Sequence, residues 1–191
     1  MSAQPITAVK NAVDLFVGFM EEAGADDQLG LAVYNAPDGE GLLESALTDD
    51  FAFIMHQTNH RQAGHYHNYT NIAGGMKVAR EELDARARAG SFKMIVLLTD
   101  GVANWTNGGV NSNRARDAVI EEAYLAADRG YLIVTISLGS GADEYLMQQV
   151  ADIAKGTHFN VPGGRPVEEY AEDLTEVFKK IAAHRPLKLV K

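Results

Sequence analysis

The stretch FKMIVLLTDG, residues 92–101, decides the fold. Its apolar run, residues 94–98, contains no alternating polar position, which is typical of a parallel strand covered by helices on both faces. The run leads into Thr99, Asp100 and Gly101, so the strand delivers one carboxylate to the loop at its carboxyl end. Ligands of open α/β sheets bind at that edge. The segment therefore predicts a parallel sheet with Asp100 at its functional edge.

Strand and helix patterns alternate on both sides of this segment. Apolar residues at helical spacing predict helices over residues 6–24, 71–89, 114–129, 144–154 and 167–183, with a short one over 50–57. Buried-strand patterns fall at 29–34, 42–47, 131–138 and 158–161. This alternation predicts an α/β fold: a Rossmann-like, doubly wound, mostly parallel sheet with helices on both faces. No repeat or linker interrupts it, so residues 1–191 are expected to form a single domain.

A polar loop, NYTNIAGGM at residues 68–76, leads into one of these helices. Together with the Thr-Asp-Gly turn at 99–101, it resembles the von Willebrand factor A (VWA) domain. In that family, a loop threonine and the aspartate of such a turn supply two of the three loops of a divalent-cation site, the metal-ion-dependent adhesion site (MIDAS). Thr70 and Asp100 stand at the matching positions. The resemblance implies a protein-binding module that recognises an acidic side chain of its partner through a bound cation.

The two matching residues also have simpler interpretations. Thr70 can be the N-cap of a helix that begins at Asn71, and Asp100 can be the first residue of an Asp-Gly turn. With the resemblance, we favour both as metal ligands, and an N-cap role for Thr70 stays compatible with ligation. Their hard oxygens suit Mg²⁺ or Mn²⁺, because Mg²⁺ needs few protein ligands and retains several waters.

One feature of the family is missing from this sequence. No Asp-x-Ser-x-Ser loop occurs, although that loop ends the family's first, central strand. Residues 1–6, MSAQPI, resemble the stretch that follows it. We therefore expect an N-terminally truncated VWA-like domain that binds cation weakly or not at all.

The missing strand predicts a vacant slot between the strands that begin near Leu29 and Phe92. Edges of this kind recruit strands. Three fillers are considered: direct pairing of the two flanking strands, insertion of the tail 187–190, or a strand-swapped homodimer.

Three residues near the two candidate ligands are predicted to contact a partner: Asn71, Asn104 and Trp105. Trp105 can be an exposed aromatic anchor, or its ring can cover the end of the sheet. The Leu-x-Leu tail also resembles endings in bacterial Tad-type pilus-assembly proteins. A structural component of a bacterial surface or pilus-assembly apparatus is therefore an alternative function.

A histidine-rich stretch supports the remaining alternative, a metal-dependent hydrolase. His56, His60, His65 and His67 can in principle ligate zinc or copper. Their spacing fits no standard zinc pattern, so a solvated loop is favoured. No nucleophile with its base is recognisable, and we expect no enzyme.

Gly74 and Gly75 lie in the first turn of a predicted helix, where each glycine costs about 1 kcal/mol relative to alanine. Close packing against the sheet is favoured over a phosphate cradle, because no glycine-rich nucleotide motif accompanies them.

Bulk composition narrows the class of partner. A net charge of −9 without a basic cluster argues against nucleic acid. No cysteine is present, and no apolar stretch approaches the ~20 residues of a membrane span. A longer parent can carry a signal or anchor upstream, so cellular location stays unknown.

Overall fold

The structure is a computed structural model that describes residues 5–22, 24, 26–35, 41–60, 69–106, 108–162 and 167–183. Its elements in chain order are α1 Pro5–Glu22, β1 Leu29–Val33, β2 Leu42–Thr48, α2 Phe51–Asn59, α3 Ile72–Arg86, β3 Met94–Thr99, β4 Trp105–Thr106, β5 Gly109–Val110, α4 Ser112–Asp128, β6 Leu132–Leu138, α5 Glu144–Ile153, β7 His158–Val161 and α6 Val167–Ala183. The predicted elements are confirmed with shifts of a few residues at their ends. The β4–β5 hairpin was not predicted.

The centre of the fold is a parallel sheet in the order β3-β6-β7. β3 pairs with β6 from Met94 opposite Leu132 to Thr99 opposite Ser137. β1 and β2 form a separate antiparallel pair. Strands alternate with helices along the chain, which confirms the predicted Rossmann-like α/β class.

Helices cover the central sheet on both faces. Successive apolar side chains of each strand point to opposite faces, and each face needs its own helical cover. Ile95, Leu97 and Ile133 belong to one core, with buried residues of α3, α4 and α5. Val134 and Ile136 belong to the other, with buried residues of α6 and partly buried residues of α1. Each strand residue points to the face opposite its neighbour's, so one apolar run serves both cores.

β3 is less evenly buried than its sequence predicts. Ile95, Leu97 and Thr99 are buried, whereas the alternate residues Met94, Val96 and Leu98 are only half-buried. By contrast, β6 is buried at every position after its first. β3 is therefore covered on both faces, as predicted, but less completely on the face of Met94, Val96 and Leu98. The reason lies beside the strand.

β1 and β3 do not pair with each other, and no strand of the described residues lies between them. A cavity of about 710 Å³ separates them. It is lined by both strands and by apolar side chains of α1, α2 and α3. We call this space the β1–β3 slot. Direct pairing of the two flanking strands, one of the three expected fillers, is excluded for these residues.

The described helices include none that is both long and apolar enough to cross a membrane. The predicted tail strand at 187–190 lies outside the described residues.

Candidate functional site

Asp100 follows the last residue of β3 and is exposed at the carboxyl edge of the central sheet. Its turn is closed locally, because the Thr99 hydroxyl lies 3.3 Å from both the amide nitrogen and the carbonyl oxygen of Gly101. The fold therefore holds Asp100 at the end of a buried strand, where the sequence predicts it.

Thr70 lies beside this turn. A Cβ built on Gly101 would stand 3.5 Å from the Thr70 hydroxyl oxygen, so the two loops are in contact distance. The fold thus brings the two predicted ligands to one edge from segments 30 residues apart in sequence.

The N-cap of α3 is Asn71, and the proposed capping role of Thr70 is wrong. The Asn71 side chain accepts a hydrogen bond from Gly74 N at 3.0 Å, and the helix begins at Ile72. Asn71 is only 3% exposed. Its burial favours a role in holding the loop over the predicted contact with a partner. The Thr70 hydroxyl is therefore not used to cap the helix.

Asn104 joins the two loops by a pair of hydrogen bonds. Thr70 N donates to Asn104 Oδ1 at 2.8 Å, and Asn104 N donates to Thr70 O at 3.1 Å. Asn111 N, at the start of α4, donates in turn to Asn104 O at 3.0 Å. The Asn104 side chain is thus engaged in positioning Thr70.

Trp105 begins the β4–β5 hairpin and pairs with Val110. Its ring stacks on Tyr69, with ring centroids 4.3 Å apart, and both residues are half-buried. Val110 and Val102 beside them are 63% and 45% exposed. Trp105 is therefore part of a partly open apolar surface next to Asp100, and the predicted partner contact stays a prediction.

A further loop supports the Asp100 turn from the β6–α5 connection. A Cβ on Gly141 would lie 2.7 Å from the Asp100 carbonyl oxygen, so only glycine allows this approach without a shift. Asp143, two residues on, caps α5 and forms an ion pair with Arg116 of α4. The edge is therefore a set of mutually braced loops.

Tyr34 connects β1 to the same edge. Its hydroxyl donates to Leu98 O at 2.8 Å. Burial raises the pKa of this phenol well above its ordinary value, and the nearby Asp100 carboxylate raises it further, while a hydrogen bond with Thr99 opposes both. Tyr34 therefore stays protonated and keeps its donor on the β3 carbonyl.

Gly74 and Gly75 pack closely, as the sequence predicted. A Cβ on Gly75 would lie 2.8 Å from the Tyr34 ring, and one on Gly74 would lie 2.8 Å from Gly41 N. Close approach of the β1–β2 pair to α3 explains both glycines.

Asn35, at the end of β1, was missed by the sequence reasoning. It adopts a positive φ of 76°, and its buried Oδ1 has no hydrogen-bond partner among the described residues. The hairpin was also missed, although its Asn-Gly dipeptide at 107–108 is a strong sequence signal for a tight turn.

The described part of the histidine stretch is largely helical. His56 lies in α2 and His60 is its C-cap, with ring centroids 4.2 Å apart. The expectation of an irregular loop starting at His56 is therefore wrong there. His65 and His67 lie outside the described residues.

The donor chemistry at the edge fits a hard cation held weakly. Thr70 and Asp100 supply a hydroxyl and a carboxylate, and no group of three or more His, Cys, Asp or Glu among the described residues could hold a metal ion. A cation bound there would keep most of its water shell, as Mg²⁺ commonly does.

Sequence comparison identifies the family. The von Willebrand factor type A domain matches residues 1–102, more than half of the 191-residue chain. The chain belongs to this family. VWA domains are generally protein-interaction modules rather than enzymes. No curated protein matches the sequence.

Solved VWA-like structures share the fold at low sequence identity. An aerotolerance-related membrane protein from Bacteroides fragilis has a TM-score of 0.68 and 15% identity, covering 93% of this chain and 90% of that one. The SpRpn10 VWA domain has a TM-score of 0.69 and 15% identity, with 90% and 82% covered.

Proximal thread matrix protein 1 from the mussel byssus, solved with a zinc-occupied MIDAS motif, has a TM-score of 0.62 and 19% identity. The alignment covers 88% of this chain and 40% of that one. That protein therefore holds zinc at a MIDAS.

Proposed function

We propose that this domain is a protein-binding module whose carboxyl edge recognises an acidic side chain of a partner through a divalent cation, with Thr70 and Asp100 as its own ligands. The observation that carries the proposal is the bracing of their two loops by the Thr70–Asn104 hydrogen-bond pair. Because both ligands sit on fixed backbone, little ordering has to accompany binding.

Two protein oxygens leave most of the cation's coordination sites to water. Mg²⁺ or Mn²⁺ therefore binds this chain weakly, and an acidic side chain of a partner is a natural replacement for one of the waters. The half-buried Tyr69–Trp105 pair and exposed Val110 supply apolar contacts around that point.

Paramagnetic broadening by Mn²⁺ tests the cation site even when affinity is low. We expect Mn²⁺ to broaden the amide NMR signals of Gly101 and Asn71 first. Asp100→Asn should abolish this selectivity while retaining the fold, since the residue is exposed. The matched control is Asp49→Asn. Asp49 is an exposed acid that directly follows β2. The end of β2 pairs with the start of β1, so Asp49 lies at the edge opposite Asp100. Equal broadening in both variants would contradict the site.

A glutamate-bearing peptide serves as the probe for an acidic partner. It should shift the signals of Gly101 and Trp105 in Mg²⁺ and leave them unmoved in chelator, whereas the corresponding glutamine peptide should have no effect. Shifts that are the same in Mg²⁺ and in chelator would refute cation-mediated recognition.

A further inference from the structure

Two exposed histidines lie side by side at the carboxyl end of α2. His56 is in the last turn, and His60, the C-cap, keeps helical backbone angles with φ −76° and ψ −10°. The two residues are four positions apart, so they stand on the same face of the helix. Their ring centroids are 4.2 Å apart, and both residues are exposed. The pair is therefore within reach of a solute.

One hydrogen bond determines which nitrogen of His60 is available. Its Nδ1 lies 3.0 Å from the carbonyl oxygen of His56. A carbonyl oxygen only accepts, so Nδ1 carries the proton, and the lone pair of the neutral ring is on Nε2. Histidines that bind metals in proteins commonly donate their other ring nitrogen to a backbone carbonyl or a carboxylate. His60 is therefore in the tautomer of a metal ligand.

The spacing of the two rings suits a shared metal ion. Two imidazoles that bind one metal cis to each other, each at about 2.0 Å, have ring centroids about 4.5 Å apart. The observed separation of 4.2 Å is close to that distance. Neither ring nitrogen of His56 is hydrogen-bonded to a residue that the structure describes, so this ring can turn toward the ion without breaking such a bond.

The backbone that carries the pair is held in place. Ile54 and Thr58 are the buried residues of α2, and the Thr58 hydroxyl donates to Ile54 O at 3.0 Å. From α1, Lys10 Nζ donates to Asn59 O, beside His60, at 2.9 Å. Because the last turn is already anchored, a metal ion would not have to order it.

The helix dipole offers a simpler interpretation of the pair. A protonated histidine near the carboxyl end of a helix is stabilising, and this accounts for either residue alone. Two protonated rings at positions i and i+4 repel each other, so the second charge loses what the dipole supplies. A close pair is therefore better suited to sharing one cation than to carrying two charges.

The donor type indicates which cation would bind. Imidazole nitrogen suits transition metals, whereas Mg²⁺ prefers oxygen. The described residues contain no group of three or more His, Cys, Asp or Glu that could hold a metal, so water would complete the shell. Cu²⁺ is the strongest binder in the divalent series and accepts a tetragonal shell of nitrogen and oxygen. Two nitrogens therefore favour Cu²⁺.

We propose that His56 and His60 form a two-imidazole chelate for a divalent transition cation, with Cu²⁺ bound most tightly and water in the remaining positions. The site differs from the edge of Thr70 and Asp100 in both its residues and its donor chemistry. The proposal stands independently of cation binding at that edge.

Titration of the 191-residue chain with Cu²⁺ at neutral pH tests the proposal. Calorimetry should show a saturable site, and the electron paramagnetic resonance spectrum should show coupling to two nitrogens. His56→Gln and His60→Gln should each lower the affinity by about 10-fold or more, and the double variant should lose little more, because a chelate needs both rings. All three variants should keep the Tm of the unmodified chain, since both side chains are exposed.

His65→Gln and His67→Gln are the matched controls, because they remove an imidazole from the same histidine-rich stretch of the sequence. Both should retain the Cu²⁺ affinity of the unmodified chain. Asp100→Asn should retain it as well, which separates this site from the carboxyl edge of the sheet.

Three results would overturn the proposal. Affinity that falls as much in His65→Gln or His67→Gln as in His56→Gln would assign the metal to a different set of histidines. Losses that add fully in the double variant would mean two independent imidazoles rather than one chelate. Absence of a saturable Cu²⁺ site in the unmodified chain would leave the helix dipole as the account of the pair.

Discussion

Thr70 and Asn71 are adjacent in sequence and do different work. Asn71 is buried and caps α3, whereas Thr70 directs its backbone to Asn104 and lies beside the Asp100 turn. Asn71 holds the loop, and Thr70 presents a hydroxyl at the edge of the sheet.

Substitution at these two positions should separate stability from cation binding. Asn71→Ala removes the cap and should lower the free energy of unfolding by about 1 kcal/mol. Thr70→Val keeps the side-chain shape without the hydroxyl, so it should change stability by less than ~0.5 kcal/mol while abolishing the Mn²⁺ broadening at Gly101. Urea unfolding beside the NMR titration checks both. A Thr70→Val chain that loses as much stability as Asn71→Ala would restore the capping interpretation.

Asn104 tests whether the bracing of the loops matters. Asn104→Ala removes the acceptor of Thr70 N, which should cost about 1 kcal/mol of stability. Because Thr70 is then held less firmly, Mn²⁺ broadening at Gly101 should weaken even though both ligands are retained. Asn104→Asp, which keeps an acceptor at the same place, should recover most of the stability. Unchanged broadening in Asn104→Ala would show that Thr70 does not depend on this contact.

At the scale of elements, the sequence predicts what local patterning controls. The apolar run of β3 and the helical spacing of α6 are explicit in the residues, and both elements form where expected. The β4–β5 hairpin has only two residues on each strand, too few to show an alternating pattern. The half-buried face of β3 was also not predictable from its own composition, because it depends on what lies beside the strand.

The same limit applies to the candidate site. Thr70 and Asp100 stood out through a family pattern, but Thr70 is placed by Asn104 and Asp100 by Gly141, each distant in sequence from the residue that it places. Asn104 was predicted as a partner contact, and nothing in the local sequence indicates either of these placing contacts. Long-range contacts of this kind become visible only in the folded chain.

Two helical glycines provide a matched test of packing between elements. Gly18, within α1, has nothing within 4 Å of a built Cβ, whereas at Gly74, in α3, a Cβ would meet Gly41 N at 2.8 Å and the Asn71 side chain at 2.6 Å. Gly18→Ala should stabilise the protein by about 0.5–1 kcal/mol through helix propensity. Gly74→Ala should destabilise it by about 1–3 kcal/mol, because a backbone contact has to shift. Thermal and urea unfolding of the two variants test these opposite effects. Stabilisation by both substitutions would show that α3 and the β1–β2 pair are not tightly packed.

At the scale of the whole molecule, the described strands form a three-stranded parallel sheet and two separate antiparallel pairs rather than one continuous sheet. β6 has partners on both edges and is buried almost throughout, whereas β1 and β3 each pair on one edge within the described residues. The β3-β6-β7 sheet with its two helical layers therefore carries both buried cores, and global unfolding should report on groups packed there.

His158 in β7 is a half-buried titratable group on this side. The Thr135 hydroxyl donates to Met147 O at 2.9 Å, so it accepts from His158 Nδ1 at 3.0 Å, and this contact places a proton on Nδ1. Its Nε2 is buried without a partner among the described residues. Burial lowers the pKa of His158, although the Thr135 contact and the carboxylates of Glu144 and Asp152 oppose the shift.

This shift makes stability depend on pH in a defined direction. Because the folded-state pKa lies below the unfolded value of about 6.5, the unfolded chain takes up a proton first as the pH falls. The contribution of His158 is therefore complete above pH ~6.5 and declines as the pH falls toward the lowered folded-state pKa. Urea unfolding at pH 7.5 and pH 5.5 should show a smaller loss of stability in His158→Gln than in the unmodified chain. His56→Gln, at an exposed position of α2, is the control and should retain the full loss. The carboxylates are the same in all three proteins, so their contribution cancels in the comparison. An identical loss in all three would mean that His158 can be protonated in the folded protein as easily as in the unfolded chain.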